Sequence, residues 1–484
     1  MDRYLRNYWS LFLEFIDLFD GLKFHGIPLP LVTTFHHYLS EQAIECMKQP
    51  QFETLLRSPV RSKQELQPAF DRYLEPLRAP LEPKPQHGAI LVYDGELRFS
   101  TETYSSFFAQ DTLLYIPSHN PGFLNLFDMH DLTEPVTRFT ARARRTLHAL
   151  RGHPIFGDVY FQAMFLQQIP HIMDILNKAF LCFSAIPVRC VLLGHTEYAI
   201  SRCLAAAAAA NGIPSICMQH GLIGMEEGYF PIFAAKQAVY GSYEQDWFLE
   251  RGASRQQIEI VGHPQFDAIF TTSFMNNRTF RQSLGIRSDQ HIVLIGCSNY
   301  MDLCLLQSVV AELAQDPSIY VLIKAHPSEP AERYTMLTVY YDNVQMLKGT
   351  HDWSYESLLS DALANADAVI VDYSTVGLAA MLHDKPVFIW KMSYYDPKGC
   401  YRGSTAYMDR LKELLNRDYD YFDSLQGMVH TDPESLAHAV KEYLRGCAMT
   451  AADADLLRRQ FVARNYPEHS SGNKLHDLLR QLSG

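Results

Sequence analysis

The chain has 484 residues, 47% of them hydrophobic and 20% charged, which implies a globular protein with extensive cores and more than one domain. Lys and Arg total 42 against 54 Asp and Glu, a formal net charge of −12, and this argues against a nucleic-acid role resting on bulk electrostatics. The nine cysteines stand singly, with no C-x-x-C pair and no His/Cys cluster at zinc spacing, so neither a disulfide framework nor a zinc module is expected and a reducing cytoplasm fits.

Residues 1–80 read as a mostly helical N-terminal region. The first helix carries Tyr8, Trp9, Phe12, Phe15 and Phe19. Its apolar run Leu11–Phe19 is broken by Glu14 and Asp17 and has no cleavage pattern, so no secretory signal is expected. No run of about 18 uncharged apolar residues exists to span a membrane. With few Lys or Arg on its polar face, the first helix is expected to pack on its own domain, which leaves at most peripheral membrane contact. Pro76, Pro80, Pro83 and Pro85 make a stiff connector. Ala89–Tyr93 and Leu113–Ile116 are short strands, the second running into a turn at 117–122. Val136–Leu150 is a basic helix read as a solvated face, and Val159–Phe180 is a second helix.

From Val188 to Asp267 the pattern is strand, helix, strand. Cys190–Leu193 is a continuous apolar run, the mark of a strand buried on both faces. Thr196–Ala210 is alanine-rich and helical, with Thr196 as N-cap and Asn211-Gly212 closing it in left-handed geometry. Ser215–Met218, Lys236–Tyr240 and Ile258–Val261 are strands, with a helix at Tyr243–Arg251. Thr271–Asn277 is polar and patternless, an interdomain linker. A second alternation follows: strands Ile292–Gly296, Tyr320–Ile323, Val344–Leu347, Ala368–Val371 and Val387–Trp390, and helices Leu303–Ala314, Pro330–Val339, Tyr355–Ala364 and Thr375–Leu382. Such alternation means βαβ units and two parallel sheets. Beyond Tyr394 the pattern loosens, with helices at Ala451–Arg464 and Leu475–Leu482.

Three constellations stand at carboxyl ends of these strands, where open α/β sheets bind ligands. The first is Gln219-His220-Gly221, with Glu197 after the neighbouring strand; adjacent strands lie about 4.8 Å apart, so the two loops can share one edge. The second is Lys324-Ala325-His326-Pro327. The third is Asp372-Tyr373-Ser374-Thr375, where Ser374 or Thr375 caps the next helix and its free N–H groups make an anion site. Ser298 and Asn299 fall on the same rim. No Walker A loop, no Gly-x-Gly-x-x-Gly after a strand and no Gly-x-Ser-x-Gly elbow is present, which argues against a P-loop or dinucleotide cofactor; no cofactor is expected. Asp-x-Asp occurs only at Asp418/Asp420 and Asp453/Asp455, away from any strand end, so no metal ligands are assigned.

GIPSICMQHG, AAKQAVYGSYEQDWFLERG and IEIVGHPQFD resemble the amino-terminal half of bacterial surface-polysaccharide glycosyltransferases of the GT-B fold. IKAHPSE and LLSDALANADAVIVDYSTVGLAAMLHDKPVFIW resemble their carboxyl half. The pattern is shared with CDP-glycerol glycerophosphotransferases of teichoic acid synthesis and with capsule polysaccharide transferases, some using CMP-activated sialic acid or Kdo. Nucleotide-sugar 2-epimerases share the fold. The match covers roughly residues 188–392.

The resemblance implies two Rossmann-like domains facing a cleft: an acceptor-side domain at 81–272, a donor-nucleotide domain at 285–445, and C-terminal helices at 446–484 that cross back to the first. It implies a cytoplasmic, metal-independent glycosyltransferase, at the inner face of the membrane, moving a sugar or related group from a nucleotide-activated donor to a glycan or lipid-linked glycan acceptor. His326, Ser374 and Thr375 would meet the donor phosphate, with Lys324 beside them, and His220 the reacting group. Candidate bases are His220, Glu197, Glu226 and Glu227; for a retaining reaction Glu226 or Glu227 is the candidate nucleophile. Many relatives carry a ribose-binding glutamate where this chain has Ala379, which shifts weight towards CMP- or CDP-linked donors and towards Asp352 or His351 as substitute. The alternatives are a nucleotide-sugar 2-epimerase and a non-catalytic glycan- or nucleotide-binding subunit.

Overall fold

The computed structural model describes residues 1–78, 88–117, 131–298, 303–326, 331–347, 355–391, 420–447 and 451–483. They form two units: Met1–Gln265 with Ser470–Gly484 (unit 1), and Phe266–His469 (unit 2). A two-residue ladder, β1 (Lys23–Phe24) and β2 (Ile27–Pro28), lies in the N-terminal region.

The sheet of unit 1 contains β3 (Ala89–Tyr93), β4 (Leu113–Ile116), β5 (Val188–Leu193), β6 (Ser215–Met218), β7 (Lys236–Val239) and β8 (Ile258–Ile260), all parallel, in the order β4-β3-β5-β6-β7-β8. Side chains alternate between its faces, as the period of two requires. Leu91, Tyr93, Val191 and Leu193 join one core with the N-terminal helices. Ile90, Val92, Cys190 and Leu192 join another with Leu475, Leu478 and Leu479 of the last helix, Ser471–Ser483. Both faces are covered at β3 and at Cys190–Leu193 of β5, which is why these stretches read as unbroken apolar runs.

The first helix, Arg3–Leu18, packs inside its own unit. Trp9, Phe12 and Phe15 are 0% exposed. Phe12 stacks on Phe35 at 4.8 Å, and Phe15 meets Phe165 edge-on at 4.8 Å. Each such pair adds about 0.5–1.5 kcal/mol beyond its buried area. The basic helix runs Thr133–Ala149, and the helix after it runs Val159–Ala185, past the expected Phe180. It stops because Ile186 precedes Pro187 and is extended.

The alanine-rich helix starts at Ala199 rather than Thr196. Residues 194–198 turn instead, with the Glu197 N–H donating to His195 Nδ1 at 3.1 Å and the Thr196 carbonyl accepting from Arg202 Nε at 2.8 Å. Thr196 is therefore buried in the turn and caps nothing. The helix end is as expected: Gly212 has φ +61°.

Unit 2 contains β9 (His291–Gly296), β10 (Ile319–Lys324), β11 (Val344–Met346), β12 (Ala368–Val371), β13 (Val387–Trp390) and β14 (Val429–His430), again all parallel, in the order β11-β10-β9-β12-β13-β14. The helix expected at Pro330–Val339 begins as a 3-10 turn, Ala331–Tyr334, and becomes α-helical only at Thr335–Val339. Residues 272–276 are irregular, and the next helix, Asn277–Leu284, starts where the linker was expected to end. The fold is thus α/β, with two parallel six-stranded sheets and a helical N-terminal region, as the alternation predicted. No helix among the described residues is long and apolar enough to cross a membrane.

Candidate functional site

In unit 1 the chain leaves β3 for β4, then returns past β3 to β5. The strand order reverses between β3 and β5, and such a switch point opens a crevice at the carboxyl ends of the strands. Gly194 ends β5 there. A Cβ on it would stand 2.0 Å from the Gly95 carbonyl oxygen, so only glycine lets the loops after β3 and β5 touch. Glu96 and Arg98 sit in the first loop at φ +61° and +53°, a conformation costing non-glycine residues about 1–3 kcal/mol each. Their side chains pair, Arg98 Nη2 to Glu96 Oε2 at 2.6 Å. Burial opposes the charge on Glu96, but Arg98, helped by His220 and His195, holds its pKa below the usual carboxylate range.

His220 follows β6, which pairs with β5. Its ring stacks on Tyr229 at 5.0 Å and lies 5.8 Å from the His195 ring. Gln219 fixes this loop: its Nε2 donates to the Gly221 carbonyl at 2.8 Å, and its Oε1 accepts from the Tyr240 N–H at 3.1 Å. In Gln219-His220-Gly221 the glutamine is thus a brace, while the histidine ring packs between Tyr229 and His195. Burial lowers the pKa of His220, of His195 to about 4 and of His263 to about 3, so all three are neutral imidazoles at pH 7. Glu197 is ionised: burial opposes this, but the His36 imidazole 3.7 Å away and the facing His220 and His195 outweigh it.

The two remaining carboxylate candidates sit deeper. Glu226 accepts from Trp9 Nε1 at 2.6 Å and from Arg251 Nε at 2.7 Å, and the Arg251 guanidinium lies 3.6 Å from the Trp247 ring centroid. Both its oxygens are used in tying the first helix to the site loop. Glu227 is 1% exposed, and burial, with Glu226, Asp2 and Glu197 adding, raises its pKa to about 8. It carries its proton at pH 7.

Unit 2 has its own switch point. The chain runs β9, β10, β11 and then crosses to β12 on the other side of β9. Lys324 of β10 and Val371 of β12 both pair with Gly296 of β9, so three strands end abreast. Just beyond, Ser298 Oγ donates to Asp372 Oδ2. Ser374 caps the helix Thr375–Leu382, its oxygen accepting from the Val376 N–H at 3.2 Å. That helix approaches the sheet closely at Gly377, where a Cβ would stand 2.9 Å from Val371 Cγ2 and 3.0 Å from Phe422 Cζ. Lys324 is 6% exposed, and His326 is half-buried two residues on. Ser298, Lys324, Asp372, Ser374 and Thr375 therefore cluster on adjoining strand ends. A helix N-terminus beside a lysine is suited to an anion. Asp352 and His351 lie outside the described residues, as do Asn299 and Asp418. Asp453 is exposed and Asp455 pairs with Arg458 and Arg459, at 2.6 and 2.9 Å.

Residues 243–480 match the family model described as CDP-glycerol:poly(glycerophosphate) glycerophosphotransferase. Solved structures similar to the chain include the UDP-GlcNAc 2-epimerase of Neisseria meningitidis bound to UDP-GlcNAc, with 12% identity, coverage of 82% of this chain and 100% of that one, and a TM-score of 0.48. The Anabaena protein HepE in complex with UDP and glucose has 15% identity, the same coverages and a TM-score of 0.47. The wall teichoic acid polymerase TagF, soaked with CDPG, has 15% identity over 63% of this chain and 73% of that one, with a TM-score of 0.40. No curated protein matches the chain in sequence. The similarity to a transferase family is thus carried by residues 243–480, on an α/β fold of two parallel six-stranded sheets.

Proposed function

We propose that the protein transfers a sugar or related group from a CMP- or CDP-linked donor to a bacterial surface glycan, free or lipid-linked, at the cytoplasmic face of the membrane. The observation that carries this reading is the cluster at the β9–β12 switch point, which falls within the region matching a CDP-glycerol transferase family. In this reading residues 81–272 hold the acceptor and residues 285–445 hold the donor, and of the C-terminal helices at 446–484 the last, Ser471–Ser483, belongs with the first domain.

The donor phosphates lie against the N-terminus of the helix Thr375–Leu382, with Lys324 and His326 completing the cradle. Ser298 and Asp372 hold the loop in place. His220, neutral at pH 7, takes the proton of the acceptor hydroxyl. The acceptor oxygen then bonds to the transferred group as the bond to the nucleotide phosphate breaks. The charge left on the nucleotide is met by preorganised donors at Ser374, Lys324 and His326, without Mg²⁺ or Mn²⁺ at the phosphate. The ionised Glu96 and Glu197 face the imidazolium formed on His220 and stabilise it. A neutral histidine as base, rather than a carboxylate nucleophile, supports inversion.

The test is incubation with CMP- and CDP-linked donors, with and without a surface-glycan acceptor, in buffers with and without Mg²⁺. Release of nucleotide that requires acceptor but not Mg²⁺ is expected. Epimerisation of the donor without acceptor, or no turnover with any donor, overturns the reading.

A further inference from the structure

His36, His37 and Glu197 meet in unit 1 although the first two belong to the N-terminal region and the third to a strand end. The histidines occupy the 3-10 turn Phe35–Tyr38. Phe35 and Tyr38 are 0% exposed, and Phe35 lies against Phe12 and Phe15, so the turn is held rigidly. Glu197 is held from the other side by the bond from its N–H to His195 Nδ1. One potential ligand atom from each of the three lies within 4.8 Å of the other two. The His36 side chain is 4% exposed; its Nε2 lies 3.7 Å from Glu197 Oε1, beyond hydrogen-bond distance, and its Nδ1 has no hydrogen-bond partner. A polar group buried in that way costs about 1–3 kcal/mol. A bound ion that took up a lone pair of this ring would offset that cost.

We propose that His36, His37 and Glu197 bind one divalent metal ion of the zinc class. Two imidazoles and a carboxylate are a known zinc donor set, with bonds of about 2.0–2.2 Å and a fourth position left to water or another ligand. Ligand atoms around a tetrahedral ion of that size stand about 3.4 Å apart, so side-chain rotations that close the present spacing, at most 4.8 Å, by up to about 1.4 Å suffice. The charge that opposes a cation here is that of Arg202. Its guanidinium is committed to the backbone carbonyls of Thr33, Thr196 and Phe230. An ion at this place ties the N-terminal turn to the loop after β5, and it leaves the phosphate chemistry of unit 2 unaltered.

The full-length protein, stripped with a chelator, is titrated with Zn²⁺ by calorimetry and with Co²⁺ by visible absorption. One equivalent is expected, with the d–d bands of four-coordinate Co²⁺ and a melting temperature that rises with metal by mass action. His37→Ala, at a half-exposed position, and Glu197→Gln should each weaken binding at least about tenfold, as disturbance of a metal site does. His36→Ala should do the same. Exposed His171→Ala should leave binding unchanged. Sub-stoichiometric binding by the wild type overturns the proposal, as does undiminished binding by folded His37→Ala and Glu197→Gln.

Discussion

Glu227 is a buried acid that holds its proton, and that state can be weighed by removing it. Its pKa rises from 4.5 to about 8 in the folded chain. The unfolded chain releases this proton above pH 4.5, whereas the folded chain keeps it until about pH 8. Stability is therefore unaffected below pH 4.5 and falls as pH rises between the two values. At 1.36 kcal/mol per pKa unit, the loss is below about 1 kcal/mol at pH 5 and about 3 kcal/mol at pH 7. Glu227→Gln keeps the shape and has no proton to lose, so it should gain about 2–3 kcal/mol over the wild type between pH 5 and pH 7. Glu244, raised to about 7 by burial, imposes a similar slope on both proteins and cancels in the difference. Urea unfolding at the two pH values, followed through Trp9 and Trp247, measures this gain. Turnover of the variant at pH 7 should stay near wild type, because a protonated Glu227 cannot act as base or nucleophile. A stability difference that does not change with pH, or abolished turnover in a folded variant, refutes the reasoning.

Four further outcomes are expected. His220→Ala should lower turnover about 10²–10⁴-fold with its circular dichroism unchanged, and a rate near wild type would remove His220 as the base. Glu226→Ala leaves the Arg251 charge and the Trp9 indole N–H buried without their acceptor and should cost about 3–5 kcal/mol in urea unfolding; a loss below about 1 kcal/mol would show that the pair is not structural. His326→Ala should reduce kcat about 10²–10³-fold, the effect of losing one preorganised donor, with the fold intact; unchanged kcat would displace the phosphate from this strand end. Ala379→Glu should not tighten nucleotide binding, because the position is 8% exposed in the helix Thr375–Leu382, whereas Asp352→Ala should weaken it. Calorimetric dissociation constants in the reverse order would return the ribose to the position of Ala379.

Much of the architecture was legible in the chain. Ala89–Tyr93, Leu113–Ile116, Ser215–Met218, Ala368–Val371 and Val387–Trp390 are strands over the very residues predicted. Burial on both faces of a parallel sheet leaves an apolar run in Ala89–Tyr93, Ala368–Val371 and Val387–Trp390, and the intervening helices set the rhythm. The strand Val429–His430 was not predicted, since two residues carry no period. His195, Glu96 and Arg98 went unremarked although each stands just after a strand, where the rule that singled out His220 and Lys324 applies equally.

Other parts were decided by tertiary contact alone. Trp9 and Glu226 are 217 residues apart in the chain, and only the packing of the first helix makes that glutamate a structural acceptor. By sequence it was indistinguishable from Glu227 beside it or from Glu197, yet one is fully hydrogen-bonded, one protonated and one ionised. Nothing near His36 or His37 in the chain marked them as neighbours of Glu197. Strand and helix follow from hydrophobic periodicity, which is written over a few consecutive residues. The charge state of a side chain depends on how much water it loses and which charges then face it, and both are set by segments far away in the chain.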